Sequence, residues 1–220
     1  MTAETRTHTP PLGHKALTPL YDLAIAALTR ESVWRRAFVL AIAPKAGEKV
    51  VDIGSGTGSL AIAVHNASPK TTYIGVDPDE DAVERARAKV KRPGAAAKFE
   101  IGYFSSDADY LKPAPDKIIS SLVLHQVPLA EKQRIVEAIY KSLKPGGSVH
   151  IADYGLQKGL LRFLFRITVQ ALDGVKDTQP SADGIILELL DEAGFSNVEE
   201  AMRIPTVTGT ISLYRACKLF

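Results

Sequence analysis

The chain has 220 residues, 45% of them hydrophobic and 24% charged, with a formal net charge of +2. This is ordinary globular composition; it argues against disorder and gives no clustered basic face of the kind nucleic-acid binding needs. Cys217 is the sole cysteine, so neither an internal disulfide framework nor a thiolate metal site is expected.

Residues 1–15 are polar and Pro-rich and read as an arm, followed by Thr18-Pro19 as a helix start. The opening MTAETRTHTPPLGHK lacks the apolar core of a signal peptide, and no apolar run approaches the ~18 residues of a membrane span. A cytoplasmic setting is therefore expected. Ser32 reads as a second cap, with Val33, Ala37, Leu40 and Ala41 inward and Arg35 and Arg36 outward. Pro44 and Gly47 end that helix. The chain then alternates. Strands are predicted at Lys49–Ile53, Thr71–Val76, Lys98–Ile101, Lys117–Leu124 and Ser148–Ala152. Helices are predicted at Leu60–His65, Asp79–Val90 and Leu129–Leu143. Ser181 reads as the cap of a later helix that Gly194 ends. Two strands close the chain, near Val198–Ile204 and Thr210–Lys218.

This order predicts an α/β fold: a doubly wound, mainly parallel seven-stranded sheet with helices on both faces and an antiparallel C-terminal edge hairpin. Residues 1–43 read as an arm and helices covering a ligand. Residues 44–220 read as the main domain, with a substrate-cap insert at 156–180.

The chemistry concentrates at VVDIGSGTG. A hydrophobic strand runs into Asp52, Gly54, Ser55, Gly56, Thr57 and Gly58, and a helix follows directly. Glycines allow a tight turn and close approach of a ligand to the backbone. Dinucleotide folds use G-x-G-x-x-G here to hold a pyrophosphate. In this chain the glycines alternate, and Ser59 stands where the third would be. Asp52, two residues before the first glycine, suits a ligand with an ammonium group better than one with phosphates. About 20 residues on, IGVDPD ends a strand with Asp77, where a carboxylate can accept both hydroxyls of a ribose. The competing role for Asp77 is a helix cap.

VDIGSGTG and IGVDPD resemble the glycine-rich and acidic motifs of the class I S-adenosylmethionine (SAM) dependent methyltransferases, and DKIISSLVLHQV and LKPGGSVHIADYG resemble that family's fourth and fifth strands. LTPLYDLAIAALTRESVWRRA more loosely resembles the lead-in of the ubiquinone/menaquinone C-methyltransferase group. The resemblance implies SAM as cofactor. It implies that Asp52, Gly54, Gly56, Thr57 and Gly58 hold its methionine part, with Ser121 lining that end. Asp77 would take the ribose and Pro78 the adenine. Tyr103 and Phe104 fall at the adenine-edge position, where the family often has Asp or Asn and then a small residue. Asp107 or Asp109 is the substitute for that missing contact, and Phe104 is either an adenine wall or core.

His125, Asp153 and Tyr154 follow the fourth and fifth strands at the end where such folds bind ligands, and are the candidate catalytic residues. His150 reads as a strand residue. The apolar run LQKGLLRFLFRITVQAL (156–172) reads as a buried helix, a wall for an apolar acceptor or a patch touching lipid. The expected function is methyl transfer to a small, apolar, quinone-, phenol- or lipid-like acceptor, with peripheral membrane contact as a further expectation. The alternatives are an RNA or protein methyltransferase, which lacks a basic stripe, and a SAM-binding protein without turnover.

Overall fold

The computed structural model describes residues 29–91 and 95–219. The predicted arm and the Thr18-Pro19 helix start lie outside these residues.

Helix α1 (Glu31–Ile42) precedes an alternation of β1 (Lys49–Ile53), α2 (Ser59–Ala67), β2 (Thr72–Asp77), α3 (Glu80–Lys91), β3 (Ala97–Ile101), β4 (Lys117–Ser121), α4 (Leu129–Ser142) and β5 (Ser148–Tyr154). Three short helices follow, α5 (Gly159–Ile167), α6 (Val169–Asp173) and α7 (Val175–Ala182), and then α8 (Ile186–Glu192), β6 (Ser196–Thr206) and β7 (Gly209–Cys217). The strands form one seven-stranded sheet in the order β3-β2-β1-β4-β5-β7-β6. All neighbours are parallel except β5–β7 and β7–β6. The C-terminal hairpin therefore inserts β7 against β5 and leaves β6 at the edge.

Side chains alternate across the sheet, so each strand feeds two apolar layers. Val50, Ile119 and Ala152 face a layer made by Trp34, Phe38 and Ile42 of α1, Leu60 and Val64 of α2, and Val83, Ala86 and Val90 of α3. Val51, Ile53, Ile118 and Ile151 face Ile135, Val136 and Ile139 of α4 and Ile186, Leu189 and Leu190 of α8. Burying each large apolar side chain contributes roughly 1.5–3 kcal/mol. Asp52 shares the face of Val50 and so lies under α1 and α2, which decides its surroundings.

Five local expectations need correction. Arg30, not Ser32, stands at the start of α1, in a left-handed conformation (φ 53°) with no side-chain cap. The inward stripe of α1 is Trp34, Phe38 and Ile42, and Val33 and Leu40 are exposed, because the two large rings fill more of the core than Val33 or Leu40 would. Arg35 does not simply face away: its Nε is buried. β4 stops at Ser121, not Leu124. Leu122 takes φ 54° and residues 124–126 form a 3₁₀ turn that carries the Leu124 and His125 N–H groups onto the Asp153 carboxylate. Ser181 lies inside α7 rather than capping a helix. The chain stays helical through Pro180, and Gly184 (φ 92°) makes the break.

Candidate active site

The glycine turn connects β1 to α2 and is laced to the neighbouring strand. The Gly54 and Ser55 N–H groups both donate to the Val76 carbonyl, at 2.8 and 3.2 Å. Gly54, Gly56 and Gly58 all take positive φ, at 69°, 50° and 72°. Their surroundings differ. A Cβ on Gly54 would collide with Val123, and one on Gly58 would meet Ala86 and Phe99 at 2.9 Å. A Cβ on Gly56 would meet nothing within 4 Å. Gly54 and Gly58 are thus required by packing, and Gly56 borders open space. α2 starts without a side-chain cap, so its first-turn N–H groups face the same region.

Asp77, at the end of β2, accepts the Gly56 N–H at 2.7 Å on one oxygen and the Asp79 N–H at 2.9 Å on the other. It therefore braces the turn and the residues before α3, while Asp79 caps that helix by accepting the Ala82 N–H at 3.2 Å. A carboxylate has about four acceptor positions, so capacity remains for a ribose diol. Thr57 is held by Lys89, whose ammonium donates to the Thr57 hydroxyl at 2.9 Å and the Ser59 hydroxyl at 3.0 Å.

Asp52 is 1% exposed. One carboxylate oxygen accepts the Tyr73 hydroxyl, and the other, Oδ1, is buried with no partner. Burial pushes its carboxyl up to about 7, against the lowering effect of the Tyr73 bond and the Arg35 charge. An orphaned buried acceptor on β1, just ahead of the glycine turn, is an arrangement that an incoming ammonium group completes. Tyr73 and Arg35 in these roles escaped the sequence reading: one looked like a strand residue, the other like a solvated helix residue.

At the adenine end, Pro78 is exposed beside Asp77 and Tyr103 is half exposed. Phe104 is 4% exposed and packs with Leu111 in the layer under α4, which favours its core reading. Asp109 pairs with Lys112 at 2.9 Å on the surface, and Asp107 is also exposed. Ser121 ends β4, half-buried.

The other candidates gather beyond β4 and β5. Asp153 is fully buried and accepts four hydrogen bonds: from the Leu124 N–H (2.7 Å), the His125 N–H (3.2 Å), the Tyr154 N–H (2.7 Å) and His125 Nδ1 (2.6 Å). Its acceptor positions are thus filled from within the chain. His125 is pinned on its other side too, with Nε2 3.5 Å from Asp173 at the end of α6. Burial alone would push the imidazole down, but the Asp153 and Asp173 carboxylates outweigh it and raise it to about 9. The Tyr154 ring meets the His125 ring edge-on at 5.0 Å and Phe165 of α5 at 5.1 Å, and its hydroxyl bonds Thr208 at 2.8 Å. Lys132 of α4, fully buried, donates to the carbonyls of His125, Val127 and Asp177 and ties α7 to this turn. Asp173 and Lys132 gave no sequence signal, since charged residues on short or amphipathic helices ordinarily read as solvated.

A model of the methyltransferase domain matches residues 51–149, the stretch from the end of β1 into β5 that carries the glycine turn, Asp77 and His125. The chain belongs to the class I SAM-dependent methyltransferases. This methyltransferase is 32% identical over 166 residues to an arsenite methyltransferase of Halobacterium salinarum, an alignment covering 73% of the chain but only 40% of that protein. It is 26% identical over 159 residues to a demethylmenaquinone methyltransferase of Thermus thermophilus, covering 70% of each. Its fold matches magnesium protoporphyrin IX methyltransferase from Synechocystis, solved with bound S-adenosylhomocysteine, at TM-score 0.65 and 21% identity over 86% of this chain and 81% of that one. SAM is the cofactor of the methyltransferase, and the orphaned Asp52 oxygen and the open face of Gly56 fit it.

Proposed function

We propose that the protein transfers a methyl group from SAM to a small, apolar, membrane-partitioned acceptor of the quinone, phenol or lipid-like class. When bound, SAM supplies an electrophilic methyl carbon on a cationic sulfur. The chain's own residues have three tasks. Asp52, Gly54, Gly56, Thr57, Gly58 and Ser121 hold the methionine part, and Asp77, Pro78 and Tyr103 hold the nucleoside. α1 covers the cofactor, and Arg35 brings it beside Asp52. Tyr154 and His125 border the acceptor, with Asp153 fixing the imidazole. Alignment of acceptor and methyl carbon and exclusion of water supply most of the rate in such a displacement.

The apolar acceptor rests on one observation, the sidedness of α5. Phe165 turns inward and is fully buried against Tyr154. Leu160, Phe163 and Ile167 face the other way and are 71%, 57% and 52% exposed, and Leu172 and Val175 on the next two helices are exposed as well. Lys158, Arg162 and Arg166 are exposed on the same helix or its start. The 156–172 segment is thus neither a plain buried helix nor a closed pocket wall. An apolar face flanked by cations suits an anionic lipid surface, one contact away from the catalytic turn.

The test is methyl transfer from isotope-labelled SAM to a prenylated phenol in anionic vesicles and to the same phenol, without its tail, in solution. Faster transfer to the vesicle-borne acceptor, lost in Phe163→Ser, supports the reading. Equal rates for both, unaffected by that substitution, refute the membrane-borne acceptor.

A further inference from the structure

Methyl transfer uses the carboxyl ends of the strands. Their amino-terminal end carries a separate polar centre. Register pairs Lys117 of β4 with Ser148 of β5, Ser148 with Cys217 of β7, and His150 with Arg215. Paired residues share a face, and so do residues two apart. Lys117, Ser148, His150, Arg215 and Cys217 therefore stand together on the α1 side of the sheet. They line a cavity of about 310 Å³ bordered by Ala41, Ile42 and Ala43 at the end of α1, a size at the lower end of small-molecule sites.

The charges in this cavity do not balance. Four cations line it, Lys45, Lys117, Lys144 and Arg215, against two acids, Glu48 and Asp116. Lys117 is committed to Glu48 at 2.6 Å and the Ala43 carbonyl at 2.9 Å, and Lys144 to Asp116. Among the described residues, neither the Lys45 ammonium nor the Arg215 guanidinium forms an ion pair: Glu48 takes only the Lys45 backbone N–H, at 2.8 Å, and Glu199, opposite Arg215 across the hairpin, does not pair with it. The second observation is His150, 2% exposed. Its Nε2 meets the Ser148 hydroxyl at 3.0 Å, and its Nδ1 is buried without a partner. With serine donating to Nε2, the ring proton sits on Nδ1, a buried donor lacking an acceptor. Burial and the nearby Lys117 and Arg215 charges depress this imidazole to about 3, so it stays neutral at pH 7.

We propose that this cavity is an anion site for a phosphate-bearing small molecule, held by Lys45 and Arg215 with the His150 ring as an additional donor. Two unmatched cations call for a dianion, and phosphate or a phosphate monoester supplies one. The site lies at the opposite ends of β4 and β5 from Ser121 and Asp153, so it does not depend on the methyl acceptor.

Titration of the SAM-bound protein with inorganic phosphate and with glycerol phosphate, against sodium chloride at equal ionic strength, tests the proposal by calorimetry and by the His150 ring proton signals. Both phosphates should bind in the millimolar range or tighter and shift the His150 signals. Stronger binding of glycerol phosphate would indicate an organic ligand, and equal binding free phosphate; either upholds the site. Lys45 and Arg215 are exposed, so Lys45→Gln with Arg215→Gln should fold, keep SAM affinity and bind phosphate about tenfold or more weakly. No binding beyond chloride, or equal affinity in the wild type and the double variant, would overturn it.

Discussion

His125 Nδ1 and Asp153 Oδ1 lie 2.6 Å apart, both buried, and the same carboxylate takes the backbone N–H of His125. The bond fixes the ring's position and its charge at once. With the imidazole raised to about 9 by Asp153 and Asp173, the folded state binds a proton that the unfolded chain, near 6.5, releases earlier. The stabilisation is fully present below pH ~6.5 and is lost as pH rises through about 9. Wild-type melting temperature should fall across that window more than that of His125→Gln. Parallel pH profiles for the two proteins would show that the pair carries no such linkage.

Turnover should run the other way if His125 takes a proton from the acceptor. The imidazolium must first deprotonate, so the rate should climb toward pH 9. His125→Gln should remove the climb and lower turnover about 10²–10⁴-fold, with SAM affinity nearly unchanged. A loss of less than about threefold would leave His125 the role of tying α6 to the sheet.

Asp52 gives a second pH signature. Its carboxyl sits near 7 because it is buried, and the ammonium of SAM should favour the ionised form. Binding should then release a proton and tighten between pH 5 and 8. Calorimetry in buffers of different ionisation enthalpy measures this directly. Affinity that is independent of pH would argue against contact with Asp52.

The glycine turn separates packing from binding. Gly54→Ala should destabilise the protein by several kcal/mol, through collision with Val123 added to the strain of φ 69°. Gly56→Ala carries only the conformational cost, about 1 kcal/mol, and should fold while losing SAM. Asp77→Ala should weaken SAM roughly 10- to 100-fold and also lower the melting temperature by a few degrees, since Asp77 braces Gly56 and Asp79. A melting shift without loss of affinity would leave it a brace of the glycine turn.

On α5, Phe165→Ala should cost about 3–5 kcal/mol of stability, and Phe163→Ser well under 1 kcal/mol. Reduced vesicle co-sedimentation should follow Phe163→Ser alone.

The sheet was legible in the sequence because each buried strand is a β-branched run closed by turn residues, and the glycine and acidic motifs are local in the chain. Asp153 and His125 were visible only as strand-end residues; their bond joins positions 28 apart and depends on the turn at Leu122, a positive φ that leucine does not advertise. Asp173, Lys132 and the Asp52–Tyr73 bond were hidden for the same reason: the partners meet only after the sheet forms. The inward stripe of α1 was misread by one position because Trp34 and Phe38 outweigh the aliphatic pattern beside them. The two faces of α5 could not be told apart while both were apolar.

The most direct measurement is kcat/KM for methyl transfer from labelled SAM to one phenolic head group carrying tails of increasing length. Each methylene buried against apolar surface contributes ~0.8 kcal/mol, about fourfold, so kcat/KM should rise severalfold per added methylene until the tail outgrows the patch, and less steeply in Phe163→Ser. A flat series, or no transfer to any member while SAM binds, would contradict methyl transfer to an apolar acceptor.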